Sequence, residues 1–238
     1  MNRMTSPAEL VASDRRSAAE PRVHAAGAGA ILFDPSNGPF DPILQQRLFA
    51  LAQRIRSLGD AKRSQELVLG VNNLLFVFDP LSLAPREAGD LMVRLWETTE
   101  PLVQLGREIE IPVVYGGDAG EDLRQLAAGA LMDVREYIRR HAEAEYSVAS
   151  IGSMPGFAYM TGLPPELRVP RRKVPRIKVP AGTVIVGGAQ AGVMPCTAPS
   201  GWHLLGTTTL EMFNVKRDPV CLLSPGDRVR FSVARIEL

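Results

Sequence analysis

The stretch V-P-A-G-T-V-I-V-G-G-A-Q-A-G-V-M-P, Val179 to Pro195, constrains the fold more than any other part of the chain. It is too apolar to be a linker. Its glycines and prolines break helix, one by backbone entropy and the other by removing an N–H donor. T-V-I-V is therefore expected to be a buried strand, and G-G-A-Q-A-G a tight turn where the backbone closely approaches something else. Pro195 limits the pairing of the next strand. Gln190, set among glycines, offers both a donor and an acceptor, either to a ligand or to the backbone of the turn.

The same texture runs from Ser147 to the end of the chain. T-V-I-V, G-W-H-L-L-G, L-E-M-F-N-V and R-V-R-F-S-V are short apolar runs separated by Gly and Pro. Such spacing indicates a β-barrel or sandwich and not a parallel α/β sheet. Before it, E-I-E-I-P-V-V-Y-G-G reads as an alternating strand ending at Gly116-Gly117, and Asp118 to Tyr146 has helical character.

The first hundred residues are patterned differently. A-G-A-G-A-I-L-F-D reads as a strand ending at Asp34, and Asp41 caps a helix with Pro42 in its first turn. Ile43, Leu44, Leu48, Leu51, Ala52, Ile55 and Leu58 keep helical spacing up to a stop at Gly59. Q-E-L-V-L-G-V and N-N-L-L-F-V-F-D give two strands broken near Gly70 to Asn73, and a second helix is expected from Pro85 to Leu105. This order suggests a two-layer α+β unit of ferredoxin-like type. The expected division is an arm over 1–22, a small α+β domain over 23–105 and a β-barrel domain over 106–238. The arm carries charge and small residues without the apolar core of a secretory signal.

A formal net charge of +1 gives no overall field toward nucleic acid, so any anion site must be local. No apolar run approaches the roughly 18–20 residues that span a bilayer. Cys196 and Cys221 lack metal or redox spacing, which fits a reducing compartment and a cytoplasmic protein. Zinc spacings, G-x-x-x-x-G-K-[ST] and G-x-G-x-x-G are all absent from the sequence, and no metal site is expected. G-S-M-P-G, Gly152 to Gly156, differs from the G-x-S-x-G elbow because its serine directly follows the first glycine, so Ser153 is read as part of a shaped loop.

Two charged features remain. R-V-P-R-R-K-V-P-R-I-K, Arg168 to Lys178, concentrates basic side chains with no acid among them, and its prolines keep it extended. It reads either as a solvated surface strand or as a rim that binds phosphate or carboxylate. His141 and Glu145 stand four apart at a helix end, either as an acid/base pair or as a histidine favoured by the helix dipole.

Taken together, I-P-V-V-Y-G-G (111–117), R-H-A-E-A-E-Y (140–146), P-G-F-A-Y-M-T-G-L-P (155–164), P-R-R-K-V-P-R-I-K-V-P-A-G-T-V (170–184), G-A-Q-A-G-V-M-P (188–195) and P-S-G-W (199–202) resemble one family. It comprises allophanate hydrolase subunit 1, KipI and the B-type subunit of 5-oxoprolinase, and is also called the carboxyltransferase C/D domain. The resemblance spans about Ile111 to Phe231, and the N-terminal half fits by layout.

That resemblance implies a cyclophilin-like β-barrel after the ferredoxin-like domain. It also implies an ATP-dependent hydrolase of amides or lactams, with 5-oxoproline opened to glutamate. The partner would be a homologous second subunit, of the kind found as allophanate hydrolase subunit 2 or as the C-type subunit of 5-oxoprolinase, with a third protein in some complexes. The alternatives it carries are carboxyl transfer from biotin on a partner, as in urea carboxylase, and inhibition of a histidine kinase without turnover, as in KipI. His141, Arg176 and Gln190 fall at motif positions expected to be catalytic. Tyr115, Phe157, Tyr159, Arg172 and Trp202 fall at positions expected to bind substrate or anion along a groove. Departures include Ala191 after Gln190, Ser200 before Gly201-Trp202, and G-T-T-T at Gly206 to Thr209 where the family has G-R-T-P. The missing arginine at Thr207 removes a fixed cation, which points to a changed substrate or lost catalysis.

Overall fold

The computed structural model describes residues 21–36, 38–58, 66–102 and 106–238. Residues 1–20 of the expected arm, Gly59 and the boundary near Leu105 lie outside the described residues.

The N-terminal unit is a four-stranded antiparallel sheet with two helices. Its strands are β1 (Arg22–Ala25), β2 (Ala30–Asp34), β3 (Glu66–Leu69) and β4 (Leu74–Val77), in the spatial order β1-β2-β4-β3. Helix α1 (Pro42–Ser57) starts where the sequence placed it: Asp41 accepts from the N–H groups of Ile43 (2.8 Å) and Leu44 (3.2 Å), and Pro42 needs no acceptor. Helix α2 (Pro85–Glu97) stops eight residues short of the expected Leu105. Thr98 and Thr99 bond back to Leu95 and Trp96, and Pro101 cannot continue a helix. β1 begins at Arg22 and was not anticipated; it fills the sheet edge beside β2. A ferredoxin-like order would fill that edge with a strand after the second helix, whereas here it is a strand before the first. Leu48, Leu51, Ile31, Phe33, Phe76 and Met92 close the core between sheet and helices.

The C-terminal half is a mixed α/β unit built on a closed seven-stranded barrel. β5 (Glu108–Gly116), β6 (Tyr146–Ile151), β7 (Ala158–Thr161), β9 (Thr183–Gly187), β10 (Gln190–Val193), β12 (His203–Thr207) and β13 (Arg228–Glu237) form it in the order β10-β7-β6-β13-β5-β12-β9. β9 and β10 also pair, which closes the ring and removes both sheet edges. β5 and β13 run parallel and the other barrel pairs antiparallel. β8 (Arg176–Val179) and β11 (Ala198–Ser200) make a separate two-stranded sheet.

The helical stretch expected from Asp118 to Tyr146 is interrupted. A 3-10 turn at Asp118–Gly120 leads to α3 (Leu123–Gly129), Leu131 turns the chain at φ 56°, and Asp133 caps α4 (Val134–Glu143). Tyr146 already belongs to β6, as its burial inside the barrel requires. L-E-M-F-N-V is not a strand, and only an isolated bridge joins Phe213 to Cys221.

Two glycines explain why the barrel needs its glycine-rich segments. Gly188 sits at φ +63°, the first of two residues between the paired Gly187 and Gln190, where tight hairpins require a positive φ. A Cβ on Gly206 would lie 2.2 Å from the Val114 carbonyl oxygen, where Gly206 pairs with Tyr115 of β5 and β12 shifts register against β9. Gly206→Ala should therefore cost about 1–3 kcal/mol of stability through forced overpacking. Urea midpoints compared with Gly152→Ala, whose Cβ would meet nothing within 4 Å, check this.

Candidate functional site

The turn that carries Gln190 forms one wall of a cavity between the barrel and the N-terminal unit. The cavity has a volume of about 610 Å³, within the usual range for small-molecule sites. From the barrel, Ser150, Tyr159, Thr161, Arg168 and Gln190 line it; from the other unit, Pro39, Phe40 and Val71 do. Gln190 is half-buried at the start of β10, and among the described residues no side-chain hydrogen bond occupies its amide.

Arg168 reaches this wall because the extended basic run is tied to the turn: Gly188 donates to the Val169 carbonyl (2.7 Å) and Val169 to that of Gly188 (3.3 Å). Its guanidinium has no carboxylate within ion-pair distance among the described residues, and one weak 3.4 Å bond runs to the Leu163 carbonyl. Arg168 is thus the uncompensated cation of the cavity wall.

Arg172 and Arg176, expected to hold a substrate anion, are already neutralised. Arg176 donates to Glu121 (2.6 Å) and Asp122 (2.8 Å), and Arg172 donates to the same Asp122 oxygen (3.3 Å). The other Asp122 oxygen accepts from the Leu204 backbone N–H (2.8 Å) and lies 3.9 Å from His203 Nδ1. Burial alone would raise the Asp122 carboxyl. The Arg176 and Leu204 hydrogen bonds, with the charges of Arg176 and His203, outweigh burial and hold it below the ordinary carboxylate range. The cluster fastens β8 and β12 to the start of α3, and neither arginine lines the cavity.

Phe157, Tyr159 and Trp202 do meet, in edge-to-face contacts of 4.9, 5.6 and 6.1 Å between ring centres. Gly187 makes room for them, since a Cβ there would lie 2.8 Å from the Trp202 ring. Only Tyr159 reaches the cavity; Phe157 and Trp202 are buried behind it with Val179, Ile185 and Met194.

Tyr115 and His141 belong neither to this wall nor to any groove. Both are wholly buried, Tyr115 on β5 and His141 on α4 where it packs on the barrel, with the Tyr115 hydroxyl 2.8 Å from His141 Nδ1. The His141 ring packs on Phe231 and Tyr146, and its Nε2 is buried without a partner. Burial pushes the imidazole down to about 3, so it is neutral through the physiological range. The expected acid/base pair with Glu145 does not form: α4 ends at Glu143, and the exposed Glu145 accepts from Arg230 (3.1 Å). Thr207, at the family's arginine position, carries no charge, and its hydroxyl donates to the Gly182 carbonyl (3.3 Å).

Of the residues singled out in the sequence, the structure brings Tyr159 and Gln190 into the cavity, together with Arg168 from the basic run. It adds Ser150 and Thr161, which the sequence did not mark. Thr161 could have been found from its alternation with Tyr159 on β7; Ser150 could not, because β6 shifts register between Val148 and Ser150.

A family model described as carboxyltransferase domain, subdomain C and D, matches residues 21–223. The chain belongs to the carboxyltransferase C/D family. The 5-oxoprolinase B subunit of Escherichia coli O157:H7 is 44% identical over 188 residues, 79% of this chain and 84% of that protein. The 5-oxoprolinase B subunit of Haemophilus influenzae is 40% identical over 82% of this chain and 89% of that protein. Among solved structures, TTHA0988 superposes with a TM-score of 0.75 at 31% identity over 87% of this chain; the match spans 40% of that longer protein. The urea amidolyase of K. lactis shares the fold, with a TM-score of 0.75 at 18% identity, over 91% of this chain and 15% of that one. Among the described residues, no helix of this family member is long and apolar enough to cross a membrane.

Proposed function

We propose that this chain is a subunit of a hydrolase complex that opens 5-oxoproline to glutamate, working with a homologous second subunit. The observation that carries the reading is the likeness to proteins named as the B subunit of 5-oxoprolinase, along most of both chains. The interdomain cavity supplies chemistry that suits such a ligand. The Arg168 guanidinium offers a planar fork to a carboxylate, and the Gln190 amide complements a lactam N–H and C=O. Tyr159 and Phe40 give it aromatic walls.

ATP would bind in a site shared with the partner subunits or in one of unfamiliar form, since the sequence has no glycine-rich phosphate loop. A second reading, carboxyl transfer from a biotinylated partner, draws on the shared fold with the urea amidolyase.

The test is turnover by the chain co-purified with its partner subunits, with glutamate and released phosphate measured with and without 5-oxoproline. Stimulated turnover yielding glutamate is expected. Arg168→Ala should raise KM for 5-oxoproline about 10- to 100-fold, the loss of one charged hydrogen-bonded contact of roughly 1.5–3 kcal/mol. A well-formed complex that consumes bicarbonate and needs a biotinylated subunit, and makes no glutamate, would replace this reading with the second.

A further inference from the structure

Gln45 is an unusual residue to find buried in the first turns of an amphipathic helix. It is 3% exposed and lies on the face of α1 that otherwise presents Leu48, Ala52 and Ile55. A buried amide is costly unless each of its groups is paired. Here Nε2 donates to two carbonyls, Gly70 (3.1 Å) and Ala149 (3.1 Å), and Oε1 accepts from the Asn72 N–H (2.7 Å). Both amide protons and the oxygen are therefore used, and the pattern admits one orientation of the group.

These partners are the immediate neighbours of the cavity wall. Ala149 precedes Ser150, and Gly70 and Asn72 flank Val71. Asn72 is held at φ 60° and 4% exposed, and its Nδ2 donates to the Pro39 carbonyl (3.3 Å), next to Phe40. One side chain thus fixes, directly or through Asn72, the backbone on both sides of the cleft: β6 of the barrel and the 39–40 and 70–73 segments of the N-terminal unit. From these contacts we infer that Gln45 is the positioning residue of the interdomain cavity, setting the separation of its two walls for a small ligand. This rests on the cavity being the ligand site of the hydrolase reading above. Gln45 touches no ligand itself.

Two variants test it. Gln45→Met keeps length and apolar packing and removes all three hydrogen bonds. Asn72→Gly keeps the positive φ and the N–H to Gln45 and frees only Pro39. In the intact complex with 5-oxoproline as probe, Gln45→Met should raise KM at least tenfold and change kcat by less than twofold; Asn72→Gly should raise KM about threefold. Amide hydrogen exchange on the full chain should quicken at residues 70–73 and 149–150 while β2 and β4 stay protected. Quickened exchange across β2 and β4 as well would make Gln45 an ordinary core residue and overturn the inference. So would an unchanged KM in a complex whose 70–73 amides had been released.

Failure of the hydrolase reading is separately visible as a wild-type complex with no glutamate production. In that event alkylation of Ser150→Cys by N-ethylmaleimide, resolved by peptide mass spectrometry, decides the matter. At least tenfold faster labelling with Gln45→Met than with Gln45 supports a wall-setting role, and equal rates remove it.

Discussion

Asp122→Ala should be among the most destabilising single changes in the barrel, at about 3 kcal/mol, or a fall in Tm of about 6–12 °C for a chain of this size. Asp122 is 4% exposed and satisfies Arg172, Arg176 and the Leu204 N–H with its two oxygens. Removing it leaves the partly buried Arg172 without a counter-charge and Arg176 with only the exposed Glu121, and orphans a buried backbone donor. Arg172 Nε and Arg176 Nη1 are already buried without partners, so the site has no spare acceptor to fall back on. Glu121, which bonds only Arg176 and is largely exposed, is the control: Glu121→Ala should cost under about 1 kcal/mol. The Asp122 contribution also has a pH signature. A carboxyl held below its unfolded value stabilises fully above about pH 4, and the stabilisation is lost as pH falls through the lower, folded value. Thermal melts of both variants at pH 7 and from about pH 4 down to about pH 2 check the size and the sign. Equal losses for Asp122→Ala and Glu121→Ala would mean that the cluster is solvated and stores little.

This cluster also shows how far the sequence could be read. Features that depend on neighbours in the chain were legible. Asp41-Pro42 marked a helix start because a cap acts within three residues, and the spacing of glycines and prolines marked a barrel or sandwich because short strands need frequent turns. Gly187-Gly188 announced a close approach, although not that one glycine would face Trp202 and the other would turn the hairpin. Charge read along the chain alone was ambiguous. Arg168 to Lys178 contains no acid, and so read either as a solvated strand or as an anion rim. Its acids are Glu121 and Asp122, some fifty residues earlier, and they leave Arg168 uncompensated while occupying Arg172 and Arg176. Gln45 was invisible for the same reason: in a helical pattern it reads as a polar interruption, and its meaning lies in a carbonyl 104 residues away. The motif residues Tyr115 and His141 resemble site residues because they are polar and fall in family motifs. Packing in the buried core is an equally good reason for those residue types at those positions.

His141 gives the second large effect, and it should appear as pH dependence. In the folded chain the imidazole is buried among Tyr115, Tyr146 and Phe231 and stays neutral down to about pH 3. In the unfolded chain it takes a proton near pH 6.5. Below that value the unfolded state binds more protons, so stability falls with pH, by about 1.4 kcal/mol for each pH unit between roughly 6 and 3 from this residue alone. His141→Leu removes that slope. It also strips the Tyr115 hydroxyl of its partner, which costs about 1–3 kcal/mol at pH 7 for an unpaired buried group. The two stability curves should therefore approach one another on acidification and cross near pH 5, with the leucine variant the more stable below the crossing. Urea midpoints for both chains from pH 7.5 to pH 4 measure this directly. Parallel curves would place a proton on the folded imidazole, through its unpartnered Nε2, and would return His141 to the set of groups able to exchange protons with a substrate.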